Sequence, residues 1–130
     1  MNRQHGFTVI ELIVMIMLFG IVGVVAWTQI THIEVAGRDD KRRVAINSMY
    51  YGLEEVYFPA HKAYPKTIDA KILPSVDTDL FTDPQGVKLG NGASNYRYEP
   101  TNCSETECKS YTLRADLEAE ADYVKTSRNK

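Results

Sequence analysis

The sequence predicts an α+β fold, and three observations carry that expectation. From Phe7 to Trp27 the chain is almost wholly apolar, with Glu11 its one ionisable side chain. No proline occurs between Phe7 and Phe58, and within that stretch the apolar residues pass from a continuous run to a single stripe. Beyond Gly92, short segments alternate apolar and polar residues, as half-buried strands do. A long helix laid on a small antiparallel sheet satisfies all three, because each element supplies the apolar face that the other must cover.

The first element predicts a membrane span. At 1.5 Å per residue the Phe7–Trp27 run reaches roughly 31 Å as a helix, close to the hydrocarbon thickness of about 30 Å. Arg3 precedes it with no acid in the leader and places residues 1 to 6 on the cytoplasmic side. Arg38, Lys41, Arg42 and Arg43 follow within the distance at which such charges count, and pull the other way. A secretory signal would need a shorter apolar core, although VVA before Trp27 offers a cleavage site after Ala26. Glu11 is the anomaly: an acid at a helix centre costs on the order of 2.5 to 3.5 kcal/mol in a bilayer, less towards the end. A first-turn acid also interacts favourably with the helix N-terminus.

The stretch Gly6-Phe7-Thr8-Val9-Ile10-Glu11-Leu12 resembles the leader and mature start of type IV pilins and type II secretion pseudopilins. The resemblance implies a pilin-like α+β fold, cleavage by a prepilin peptidase between Gly6 and Phe7, and methylation of the new N-terminal Phe7. It also gives Glu11 a role in filament assembly. Cleavage leaves a positive amine on Phe7 at the head of an apolar helix, and a filament core would bury it unless a carboxylate met it there. Breaking a buried ion pair costs about 3 to 5 kcal/mol, and buried polar groups can fix register in helical assemblies. Glu11 of an adjacent subunit is the expected partner. The resemblance further implies a homo-oligomeric helical filament, an inner-membrane assembly platform with its ATPase, and membrane lipid around the helix before assembly.

The expected organisation is a leader at 1–6, a membrane or filament-core half-helix at 7–27, an amphipathic half-helix at 28–58, and a linking loop with sheet at 59–130. In the second half, Ile46, Met49, Tyr50, Leu53 and Tyr57 recur at spacings of three and four, while Asp39, Asp40, Arg42, Arg43, Glu54 and Glu55 fill the other faces. Pro59 is expected to end the helix. Gly20, Gly23 and Gly37 are weak points, each costing around 1 kcal/mol relative to alanine. Many filament-forming pilins carry a proline in the membrane half; here Gly20 and Gly23 are the candidates for local melting. In the linking region, Thr67 or Asp69 could start a turn of helix to Leu73, and Asp83-Pro84-Gln85-Gly86 signals a turn. The Tyr64-Pro65 pair and that turn resemble the linking region of major pseudopilins.

Strands are expected at Tyr96–Tyr98, Tyr111–Ala115 and Ala121–Lys125. Cys103 and Cys108 lie between the first two and would close a small disulfide loop if this part is exported. YTLRADLE also resembles the closing strand of pilin-like proteins.

Enzyme chemistry finds no motif. His5, His32 and His61 are dispersed, and neither a G-x-S-x-G nor a P-loop occurs. Asp77, Asp79 and Asp83 lack the glycine and terminal glutamate of a calcium loop, so solvated loop acids are preferred to a metal site. No cofactor is expected. The formal net charge of -2 gives no basic excess that would argue for nucleic acid, which is not an expected partner. The cluster of Arg38, Lys41, Arg42 and Arg43, interleaved with Asp39 and Asp40, reads as a solvated helix face. The leading function is a pilus subunit serving adhesion, motility or DNA uptake. A type II secretion pseudopilin and a non-polymerising single-pass membrane protein with an extracytoplasmic binding domain are the alternatives.

Overall fold

A computed structural model describes residues 7–129. Helix α1 runs from Val9 to Tyr51, continues through a π-helical segment at Gly52–Tyr57 and ends in the short α2, Phe58–His61. A 3-10 turn occupies Thr78–Phe81, followed by strands β1 (Tyr96–Cys103), β2 (Cys108–Ala115) and β3 (Tyr123–Thr126) in one antiparallel sheet of order β1-β2-β3. The chain divides into two compact units, one up to Val35 and one from Ala36 onwards. In the first, the described residues are helical from Val9 on, and large apolar side chains such as Phe19 and Trp27 are exposed.

In the second unit, α1 is helical and amphipathic as expected, and its stripe of Ala45, Ile46, Met49 and Leu53 is buried. These residues share one apolar core with Tyr111, Leu113 and Ala115 of β2 and Tyr96 of β1. The long helix is thus packed on a small three-stranded antiparallel sheet, the α+β, pilin-like arrangement. Leu73, Val76 and Phe81 of the linking region complete the core.

The helix does not stop where proline was expected to stop it. Pro59 sits in the first turn of α2, and the helical path continues to His61. In an α-helix its ring would strike the carbonyl four residues back, and its missing N–H would break a bond. The π-helical segment just before it widens the turn, with the Phe58 N–H bonded to the Leu53 carbonyl five residues back. Lys62 then closes the helix in the left-handed region at φ 60°, its N–H on the Phe58 carbonyl at 2.7 Å.

The same widened turn corrects a second expectation. Glu54 does not face solvent; it is 5% exposed and lies in the core. An extra residue in the turn rotates the following side chains off the α-helical stripe. Its carboxylate accepts hydrogen bonds from the Tyr111 hydroxyl at 2.8 Å, the Tyr64 hydroxyl at 3.1 Å and the Arg128 backbone N–H at 3.2 Å. Burial, then the neighbouring Glu54, pushes the Tyr111 phenol well above its usual range, so it stays a donor. Gly52, opening the segment, has no room for a side chain: a Cβ would stand 2.8 Å from Val76 Cγ2.

The linking region is ordered by aspartates. Asp69 Oδ1 accepts the N–H groups of Lys71 and Ile72 and starts a single turn to Leu73. Asp77 caps the 3-10 turn. Asp83 is 4% exposed, with Oδ1 accepting from Gln85 and Val87 and Oδ2 from Asn95, so it ties its own turn to the start of β1. Gly86 adopts φ 85°, which a side chain would oppose. The strands are β1, longer than expected at its far end, β2, longer at its near end, and β3, displaced towards Thr126. β1 and β2 extend to each other because Cys103 and Cys108 pair directly, joined by a disulfide. Tyr64 bridges β2 in turn, exchanging both backbone hydrogen bonds with Cys108 at 2.9 Å.

Replacing Glu54 with alanine would leave two buried phenols short of their acceptor, each such loss costing about 1 to 3 kcal/mol. The expected loss for Glu54→Ala is about 3 kcal/mol of stability, and less for Glu54→Gln, which keeps one acceptor. Urea unfolding followed by the near-ultraviolet signal of the tyrosines in the detergent-solubilised chain measures it. An Ala variant as stable as the parent would show that the carboxylate is dispensable.

Candidate processing and assembly site

Phe7 lies ahead of α1 and is 74% exposed. Thr8 starts the helix: its side-chain oxygen accepts the Glu11 N–H at 3.3 Å and its carbonyl the Leu12 N–H at 3.2 Å. Thr8 thus satisfies one of the N–H groups that a helix start leaves without a partner. Glu11 falls in the first turn, the only acid there, and is exposed. Every large apolar side chain that follows, from Leu12 to Ile33, is exposed as well. Among the described residues, one helix is long and apolar enough to cross a membrane. It runs through Gly20, Gly23 and Gly37 without interruption. Gly6, before the expected cut, lies outside the described residues.

A family model for the prokaryotic N-terminal methylation motif matches residues 1–27. Residues 1–27 carry the prepilin signature. Phe7, Glu11 and the first part of the apolar helix fall within that range. Comparison with curated proteins and with solved structures finds no match.

The basic cluster is a solvated face only in part: Asp40 and Lys41 are exposed, whereas the others are engaged. Arg42 is 1% exposed and Asp39 5%, with Arg42 Nη1 and Asp39 Oδ1 2.6 Å apart. The loop between β2 and β3 completes the group. Asp39 accepts the backbone N–H groups of Glu118 and Ala119, both with contacts of 2.9 Å, and Glu118 accepts from Arg42 at 2.7 Å. Arg38 holds the same carboxylate with two bonds, 2.9 and 2.6 Å, and Arg43 pairs with Glu120. The reason is topological: the helix residues three and four apart that face the sheet meet the acidic turn DLEAEAD, which the sequence places 80 residues away. An alternating cation and anion pattern followed by a distant acidic run was the available signal. For Glu54 there was less: an acid next to Leu53 in a helix gives no hint of a π turn.

Among the described residues, no group of three or more His, Cys, Asp or Glu could hold a metal ion. Asp77 and Asp83 are engaged with backbone N–H groups.

The clasp between α1 and the β2–β3 loop is acid-sensitive. Hydrogen bonds from Arg38 and then Arg42 lower the Glu118 carboxyl from its ordinary 4.5 to about 2. Burial opposes the charged form of Asp39, but the N–H groups of Glu118 and Ala119, with Arg42, outweigh it and hold its carboxyl below the usual value. A folded-state value below the unfolded one stabilises above the unfolded value, and that stabilisation is lost as pH falls through the folded one. The loop should therefore stay latched at neutral pH and release progressively between pH 4.5 and about 2. The amide chemical shifts of Glu118 and Ala119 report it, and constant shifts across that range would contradict it.

Proposed function

We propose that this chain is a structural subunit of a type IV pilus-like filament. Prepilin peptidase cuts after Gly6 and Phe7 is methylated; residues 7–27 hold the subunit in the membrane, its leader cytoplasmic, until it is transferred to the growing filament. The amphipathic half-helix 28–58 and the loop and sheet of 59–130 form the extracytoplasmic part. The observation that carries this reading is the methylation motif on a helix whose apolar surface the chain itself leaves uncovered. Such a surface needs either lipid or other subunits around it. The work of the protein is assembly, with an inner-membrane platform and its ATPase, and no catalysis. Adhesion, motility or DNA uptake are the uses of such a fibre.

A pseudopilin of a type II secretion system is the second reading. The Asp83–Gly86 turn favours it, and the disulfide-closed hairpin favours the pilus. Neighbouring genes separate them: a secretin with a secretion ATPase points to secretion, a retraction ATPase to a pilus.

Mass spectrometry of the mature chain should find an N-terminal methylated Phe7. An intact Met1, or a start after Ala26, would overturn the filament reading in favour of an anchored or secreted domain. Glu11→Ala should insert in the membrane as the parent does but give far fewer filaments, since losing one member of a buried pair costs about 3 to 5 kcal/mol. Normal filament yield from that variant would remove Glu11 from assembly.

A further inference from the structure

Two surfaces of the second unit carry charges without an ion-pair partner, and their shapes are opposite. One is a cleft of about 360 Å³ between the Asp69–Leu73 turn and the 3-10 turn. Ile68, Phe81 and Leu89 give it an apolar floor, and Lys71 and Lys88 stand on its rim. A smaller hollow of about 100 Å³ shares Ile68 and Leu89 and adds Lys66. Asp69 and Asp79 also line the cleft, but Asp69 Oδ1 already accepts two backbone N–H groups. The other surface is the tip of the β1–β2 hairpin, Ser104 to Glu107, stapled by the Cys103–Cys108 disulfide. Its residues are all exposed, and the Ser104 N–H on the Glu107 carbonyl at 2.7 Å tightens the turn. Among the described residues, Lys66, Lys71, Lys88, Glu105 and Glu107 form no ion pair, whereas each arginine is paired.

We propose that the hairpin tip of one copy, through Glu105 and Glu107, docks in the lysine-rimmed cleft of a second copy. The inference rests on the filament reading and adds to it a contact between the extracytoplasmic parts. Charge complementarity selects the occupant: with Lys66 of the adjoining hollow, three lysines stand against the two carboxylates of Asp69 and Asp79, and Asp69 is already engaged with backbone N–H groups, so the surface suits an acidic tip. Cleft volume sets the scale, since it lies within the range that takes a small ligand or a few side chains. The staple fixes the tip before docking, so little conformational freedom is lost on binding. Tip and cleft are different patches of one molecule: Tyr98, which lines the smaller hollow, is five strand residues from Cys103, roughly 17 Å. A contact between unlike patches propagates from copy to copy instead of closing on a pair, as a fibre requires.

The test exchanges charges in the full-length chain, in cells that assemble the parent protein. Lys71→Glu with Lys88→Glu, and separately Glu105→Lys with Glu107→Lys, should each lower filament yield about tenfold or more, because like charges facing across an interface oppose association. The variant carrying all four substitutions should recover. Methylated Phe7 in every variant shows that processing is intact, and the tyrosine near-ultraviolet signal shows that the fold is. In parent filaments, a carbodiimide should join Lys71 or Lys88 of one copy to Glu105 or Glu107 of another, read by mass spectrometry on mixed isotopically labelled and unlabelled subunits. Normal assembly of either two-residue variant, or no recovery in the four-residue one, overturns the contact while leaving the filament reading intact. A processed parent chain that forms no filament overturns both.

Discussion

Everything in the second unit depends on how α1 is held against β2. A three-stranded sheet has too little apolar area to keep one face covered by itself, and Tyr111, Leu113 and Ala115 find that cover in Ile46, Met49 and Leu53. Apolar burial is non-directional, so it would tolerate the helix at more than one register. Two buried polar groups remove that freedom. Arg42 and Asp39 meet the β2–β3 loop near one end of the contact, and Glu54 meets Tyr111 and the Arg128 backbone near the other. Sliding the helix by one turn would leave both groups buried without partners, and removing a partner from a buried pair costs about 3 to 5 kcal/mol. The polar residues thus choose the alignment that the apolar ones stabilise.

The linking region follows the same logic on a smaller scale. Between His61 and Tyr96 there is almost no regular structure, yet Ile68, Leu73, Val76 and Phe81 are buried. Asp69, Asp77 and Asp83 supply side-chain acceptors to backbone N–H groups that neither helix nor sheet would satisfy. Three prolines in the same stretch, Pro65, Pro74 and Pro84, reduce the number of such donors and the freedom of the unfolded chain. Loop acids that look available for a cation are, for the most part, the loop's own scaffold.

What the sequence disclosed and what it concealed divide along a physical line. Period and composition reveal elements that bury themselves on neighbours in sequence: the long helix, the stripe of Ile46, Met49 and Leu53, the Asp83–Gly86 turn and the approximate strands were all legible. The N-terminal motif was legible for a different reason, being contiguous. Glu54 and Arg42 were misread as solvent-facing because their burial depends on partners 57 to 76 residues away, and in the case of Glu54 on a widened helical turn. Pro59 was misread for the same cause, since that turn is what lets a proline follow it. Local rules describe a helix alone; they do not say when its register will be altered to suit a sheet.

The Thr8 cap has a consequence for the chemistry at the other end of α1. It begins the helix one residue after the proposed cleavage point, so a chain cut there would carry its ammonium group almost directly on the positive pole of the helix dipole. Like charges at that pole repel, typically by about 0.3 to 1 kcal/mol, and in lipid-like surroundings water offers little relief. On the filament reading, the threonine would do more than start a helix: it would set a new terminal charge against the helix dipole, and an acid from another subunit would relieve it.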